Sequence, residues 1–258
     1  MKNVFRWTCG NVSKLGLEVL HESVIKTQQV LGDNFNYFIC YHNIDPIEFK
    51  NLSNITLVEQ RWQDLPIPIN LDHHLEQSFR NSIWKFCPVR LDYGVKEIIC
   101  DNDLIILNSF KELKTFLITD SILLLDDPLR FYGAYDRFIP QGMQINGGFI
   151  GLPPKYNFGE EIKKTWEKYD RLPIRGLDDE QGLTALTLIS SSFQKVLINK
   201  KIIVELHPNG YWSNFGENKK YHITGKEGGI HFTEINRSYL YPPWQIDYKN
   251  FVNKKIMF

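Results

Sequence analysis

The chain has 258 residues, with 30 basic and 30 acidic side chains and a formal net charge of zero. That balance excludes a general nucleic-acid binder, which carries a basic excess or stripe. Hydrophobic residues make up 43% of the chain, so a sizeable core is expected and disorder is not. Cys9, Cys40, Cys87 and Cys100 form no CxxC pair, and three of them sit in apolar runs. They read as buried thiols of a reducing compartment, although four cysteines can pair in three ways. Polar Arg6, Thr8, Asn11 and Ser13 interrupt any signal-peptide core. No stretch approaches the ~18 apolar residues of a membrane span. A soluble, cytoplasmic protein with no transmembrane segment is expected.

The chain opens with a strand over Asn3 to Thr8, followed by a loop at Cys9-Gly10-Asn11. Leu17, Leu20, Val24, Val30 and Leu31 repeat at helical spacing, and Gly32-Asp33-Asn34 stops that helix. Phe35 to Tyr41 and Ile55 to Val58 read as strands, with a short helix at Asp45 to Lys50 between them. Pro66 and Pro68 mark a loop, Leu75 to Phe86 a helix, and Val89 to Tyr93 its continuation. A strand at Ile98-Ile99-Cys100 follows. This alternation of strand and helix is the signature of an α/β domain with a largely parallel sheet.

The second half is more mixed. Ser121 to Leu125 and Gln144 to Leu152 read as strands, the latter interrupted at Gly147-Gly148. Glu160 to Tyr169 and Asp179 to Ser190 read as helices, with Asp178 or Asp179 as N-cap of the second. Val196 to Leu206 contains a strand, and Gly228 to Phe232 ends in a short one. No repeat or linker divides the chain, so one domain over residues 1–258 is expected.

Asp101-Asn102-Asp103 carries the chemistry. It lies between Ile98-Ile99-Cys100 and Leu104-Ile105-Ile106-Leu107, which places two carboxylates at the end of a buried strand. One residue apart in extended chain, they point to the same side. Buried like charges are costly unless compensated, and a divalent cation compensates both. Mg²⁺ and Mn²⁺ favour carboxylates and often share them with substrate phosphates, so a metal-bound diphosphate is the ligand these residues fit. Asp126-Asp127 also ends an apolar run, but adjacent aspartates point to opposite faces, and they are left out of the site. His73-His74 has no partner at helical i+4 spacing and is left out too.

Further segments fall in order around that motif. Lys85 lies in Trp84-Lys85-Phe86, ahead of Val89-Arg90-Leu91. Asn146-Gly147-Gly148-Phe149-Ile150 precedes Pro153. Asp179-Glu180-Gln181-Gly182-Leu183 opens a helix. His231-Phe232, Arg237 and Pro243-Trp244 follow. Together these resemble the GT-A fold glycosyltransferases, and within them the glycogenin-like, family 8 group of retaining enzymes. The pattern departs at Glu180, where the family has aspartate, at Asn236, where it has glycine, and in extra residues before Pro243-Trp244.

The resemblance implies a single GT-A domain with a mostly parallel sheet flanked by helices. Its nucleotide-binding half spans about 1–110 and its acceptor-side half about 111–258. It implies metal-dependent transfer of a sugar, with retention, from a UDP-linked nucleotide-sugar donor to a glycan, protein or small-molecule acceptor. Asp101, Asp103 and His231 would hold Mn²⁺ or Mg²⁺, and Lys85 and Arg237 would meet the diphosphate. Thr8, Cys9 and Gly10 would hold base and ribose, with Asn102 and Gly147 also at the donor. Asn146 would bond sugar hydroxyls, and Glu180 and Gln181 would face the anomeric carbon. Acceptor contacts are expected among Pro208 to Lys226 and Tyr239 to Trp244. Two other readings stay open. A sugar nucleotidyltransferase would want a glycine-rich basic loop, of which Cys9 to Lys14 is a poor version. A non-catalytic nucleotide-sugar or glycan-binding protein would share the site without turnover.

Overall fold

The computed structural model describes residues 1–10, 12–61, 64–67, 83–127, 130–206 and 226–232. Arg237, Asn236, Pro243-Trp244, His73-His74 and nearly all of the expected acceptor segments lie outside the described residues. A seven-stranded sheet forms the centre, in the order β3-β2-β1-β4-β7-β6-β8. Its strands are β1 (Asn3–Gly10), β2 (Phe35–His42), β3 (Ile55–Glu59), β4 (Glu97–Asp101), β6 (Ser121–Asp126), β7 (Ile145–Leu152) and β8 (Gln194–Ile198). All pairings are parallel except those of β7, which is antiparallel to β4 and β6. A second, three-stranded sheet has the order β5-β10-β9, built from β5 (Leu104–Ile106), β9 (Ile203–Leu206) and β10 (Gly229–Phe232).

Side-chain alternation divides the core into two layers. Ile98 and Cys100 pack with Phe5, Trp7 and Phe149 on one face of the sheet. Ile99 packs with Ile122, Leu124, Ile150 and Phe158 on the other. Both faces of the sheet are therefore covered around β4 and β7. Helix α1 (Lys14–Leu31) covers the first face through Val19, Leu20, Val24 and Leu31. Ser13 caps it, accepting from the Gly16 amide at 3.0 Å. It ends at Gly32, whose φ of 62° lies in the left-handed region that glycine adopts without strain. Helices α2 (Lys111–Ile118), α3 (Phe158–Lys168) and α4 (Leu177–Ser190) complete the layers. None of the described helices is long and apolar enough to cross a membrane. All four cysteines are free and buried.

Several sequence expectations change. Cys9-Gly10 continues strand β1 rather than forming a loop. Val89 to Tyr93 is not helical, because its backbone bonds to buried side chains instead of to itself: Val89 O accepts from Arg6, and the Leu91 and Asp92 amides donate to Glu97. Helix α4 begins at Leu177 with Gly176 as N-cap, so neither Asp178 nor Asp179 caps it. The Asp179 carboxylate instead accepts from the amides of Ala134 and Arg175, both at 2.7 Å. The stretch 196–206 holds parts of two strands, separated by a turn in which the Ile202 amide donates to Asn199 O. Helix α2 had no counterpart in the sequence reading. With eight residues and two buried positions, Leu113 and Phe116, it is too short for a periodic signal.

Candidate active site

Asp101 ends β4, and Asn102 and Asp103 form the turn that leads into β5. Asp101 is the register partner of Thr8 at the end of β1. The sheet order reverses here, with β2 on one side of β1 and β4 on the other. Open α/β sheets bind ligands in such a crevice. Strand β5 runs from the turn and pairs with β10, setting His231 opposite Leu104. The Phe232 amide donates to Asp103 O at 2.8 Å and fixes that register. His231, distant in sequence, thereby meets the aspartates.

One ligand atom from each of Asp101, Asp103 and His231 lies within 4.8 Å of the others. His231 Nε2 is 3.2 Å from Asp103 Oδ1, and its Nδ1 is 3.9 Å from Glu205 Oε1. Burial lowers the His231 pKa, but Asp103 and Glu205 outweigh burial and raise it from 6.5 to about 9. Burial raises the Asp101 pKa; Lys85 opposes this and Asp103 adds to it. The Asn102 side-chain nitrogen Nδ2 is buried with no hydrogen-bond partner among the described residues.

Lys85 ends up on a short 3-10 turn, Ile83–Phe86. Its ammonium lies 3.3 Å from Asp101 Oδ1 and 3.9 Å from Glu180 Oε2. Burial opposes its charge, but Asp101 and Glu180 prevail and raise its pKa. Burial raises the Glu180 pKa against the effect of Lys85. Thr184 Oγ1 donates to Glu180 Oε1 at 3.0 Å. One ammonium thus lies between the carboxylates of Asp101 and Glu180 and joins them in one cluster.

Asn146 lies at the irregularity of β7, where pairing with β6 slips between Leu124 and Leu125. Its Oδ1 accepts from the Gly148 amide at 2.6 Å. Its Nδ2 donates to Asp127 Oδ2 and Glu205 Oε1, both at 3.3 Å. Gln181 Nε2 donates to the same Asp127 oxygen at 3.1 Å. Gly148 permits the close approach. A Cβ there would sit 2.8 Å from Asn146 Oδ1, 2.9 Å from His231 Cε1 and 3.0 Å from Asp101 Oδ2. At Gly147 a Cβ would lie 3.2 Å from Lys85 Nζ. Thr8 is buried beside Asp101, whereas the Cys9 side chain packs into the core and burial raises its thiol pKa. Only the backbone of Cys9 remains for a ligand.

Asp127 and Glu205 are the residues sequence reasoning missed. The alternation of faces that set Asp126-Asp127 aside also requires one of the pair to point inward, and Asp127 does. Glu205 gave no signal, because its role depends on β9 pairing with β10, where it faces His231 in register.

No family model and no curated protein sequence matches the chain. Solved structures do. The galactosyltransferase LgtC, in complex with donor and acceptor sugar analogs, superposes with a TM-score of 0.57 at 12% identity, over 94% of each chain. Mouse xyloside xylosyltransferase 1, in its apo form, gives 0.51 at 11% identity, over 91% of this chain and 98% of that one. The glycosyltransferase GlyE of Streptococcus pneumoniae TIGR4 gives 0.52 at 12% identity, over 100% of this chain and 65% of its own. The chain has the GT-A fold.

On this GT-A sheet the cluster offers carboxylates and an imidazole to a cation, an ammonium to anionic oxygen, and side-chain amides to hydroxyl groups. Among the described residues, the carboxylates of Asp101, Asp103, Asp127, Glu180 and Glu205 outnumber the cationic groups Lys85 and His231. A divalent cation relieves that excess.

Proposed function

We propose that this chain is a metal-dependent glycosyltransferase that moves a sugar from a UDP-linked donor to a glycan, protein or small-molecule acceptor, with retention of configuration. The observation that carries the reading is the meeting of Asp101, Asp103 and His231 beside Lys85, Asn146 and Gln181, at the strand ends of a GT-A sheet. The donor set fits Mn²⁺, with carboxylate oxygens and one imidazole nitrogen, and fits Mg²⁺ less well because of that nitrogen. The unpartnered Asn102 Nδ2 supplies a further donor for an anionic ligand at the same turn.

When bound, the cation acts as a Lewis acid that offsets charge on the departing diphosphate. Asp101, Asp103 and His231 hold it in place. Lys85 adds a point charge for the phosphate oxygens. Gly147 and Gly148 leave room for the donor against β7. Asp127 holds the Gln181 amide by its nitrogen, which leaves the Gln181 carbonyl oxygen to face developing positive charge at the anomeric carbon. Glu180, oriented by Thr184 and Lys85, adds a carboxylate nearby. Retention of configuration rests on the family resemblance of the sequence.

The test is donor cleavage by purified protein with Mn²⁺, with and without acceptor. Asp103→Asn keeps the fold and loses both hydrolysis and transfer, since an amide is a poor ligand for a hard cation. Gln181→Ala lowers turnover with little change in donor affinity, as a contact made mainly in the transition state does. Near wild-type cleavage by Asp103→Asn would contradict the reading.

A further inference from the structure

Arg6 and Glu97 form an ion pair at 2.7 Å with both side chains fully buried. The pair clamps the segment that carries Lys85. Arg6 Nη2 donates to Lys85 O at 3.2 Å and to Val89 O at 3.1 Å. Glu97 Oε2 accepts from the Leu91 amide at 2.9 Å and from the Asp92 amide at 3.3 Å. Arg90 lies 3.8 Å from Glu97 on the far side and donates to Asp92 O, Val95 O and Tyr156 O. Arg6 stands on β1 and Glu97 begins β4, the two strands whose ends flank the candidate site. Replacing a buried ion pair with apolar side chains is often neutral or stabilising, so stability alone does not account for this one. What the pair does that apolar residues cannot is direct two carbonyls and two amides of a segment without a ladder of its own. The planar guanidinium fork suits that task and an ammonium does not.

We infer that Arg6 is a positioning residue that holds Lys85 so that its ammonium meets Asp101. The inference rests on the proposed reading of Asp101 as a metal ligand. The Lys85 ammonium lies 3.3 Å from Asp101 Oδ1, beside a carboxylate that the proposed cation would share. Mn²⁺ therefore binds against a resident positive charge, and any change that lets Lys85 drift away tightens Mn²⁺ binding. General damage to the fold loosens it. The sign of the effect separates positioning from mere support.

The experiment is a double-mutant cycle read as Mn²⁺ affinity, by electron paramagnetic resonance of free Mn²⁺ with no nucleotide present. Lys85→Met is expected to tighten Mn²⁺ binding roughly tenfold, by removing a like charge a few ångströms away. Arg6→Lys is expected to tighten it roughly threefold while Lys85 is present, and by less than about twofold in the Lys85→Met background. Glu97→Gln removes the charge that holds Arg6 and runs the same cycle if Arg6→Lys does not fold. Weaker Mn²⁺ binding in Arg6→Lys or Glu97→Gln with Lys85 intact, or equal effects in both Lys85 backgrounds, overturns the positioning inference and leaves the metal site standing. Absence of Mn²⁺ binding in the wild type and in Lys85→Met overturns the metal reading, and the inference with it.

Discussion

On the proposed reading, a proton and a metal compete for a nitrogen of His231. With its pKa raised to about 9, the metal-free imidazole is charged at neutral pH and pairs with Asp103. The folded state favours the proton. The stability this gives the metal-free protein is full below pH 6.5 and is lost as pH rises through about 9. Metal binding runs the other way, because the nitrogen must shed its proton first. Mn²⁺ affinity is therefore expected to rise by up to about tenfold per pH unit between pH 6.5 and 8. Titration of free Mn²⁺ at several pH values checks this, and a flat profile contradicts it. Gly148 offers a second test. A methyl group there would press on Asn146, His231 and Asp101 at once. Gly148→Ala is expected to cost about 1–3 kcal/mol of stability. It is expected to weaken Mn²⁺ binding as well, as thermal unfolding and metal titration together would show.

The elements differ in how readily the sequence betrays them. Strands β1, β4 and β7 are buried on both faces, and α1 has an apolar stripe and a capping serine, so burial pattern alone finds them. The Asp-x-Asp segment follows from β4, but Asn102 and Asp103 form a turn, so the turn rather than extended alternation brings the two carboxylates together. Val89 to Tyr93 reads as helix from sequence because its backbone bonds to two side chains, the distant Arg6 and the nearby Glu97, leave no periodic trace. Glu205 was missed because only the pairing of β9 with β10 brings it to His231. Asp127 was passed over by a face argument that was sound for the pair and incomplete for its members. Elements away from the cluster should affect stability alone. Asn157 caps α3 by accepting from the Glu160 amide at 3.2 Å, on the exposed surface. Asn157→Ala is expected to cost about 1 kcal/mol. Its melting temperature should fall by roughly 2–4 °C while Mn²⁺ affinity stays at the wild-type value. A fall in metal affinity as large as that of Gly148→Ala would mean the cluster is coupled to the whole sheet.

At the scale of the molecule, a net charge of zero contrasts with a gathering of carboxylates, among the described residues, around the ends of β4 and β6. Such a gathering repels a nucleotide sugar until a divalent cation is present. Donor binding should therefore depend on the metal, and by linkage bound donor should tighten the metal further. The direct measurement is the melting temperature with Mn²⁺ alone, with a panel of UDP-sugars alone, and with both. Ligand that binds only the folded state stabilises it by mass action, by about 2.7 kcal/mol at one hundred times Kd, and so raises the melting temperature. At least one UDP-sugar should raise it by several degrees only when Mn²⁺ is also present, and Asp103→Asn should abolish the rise. An unchanged melting temperature for every UDP-sugar with Mn²⁺, or an equal rise in the presence of a chelator, would contradict metal-dependent donor binding.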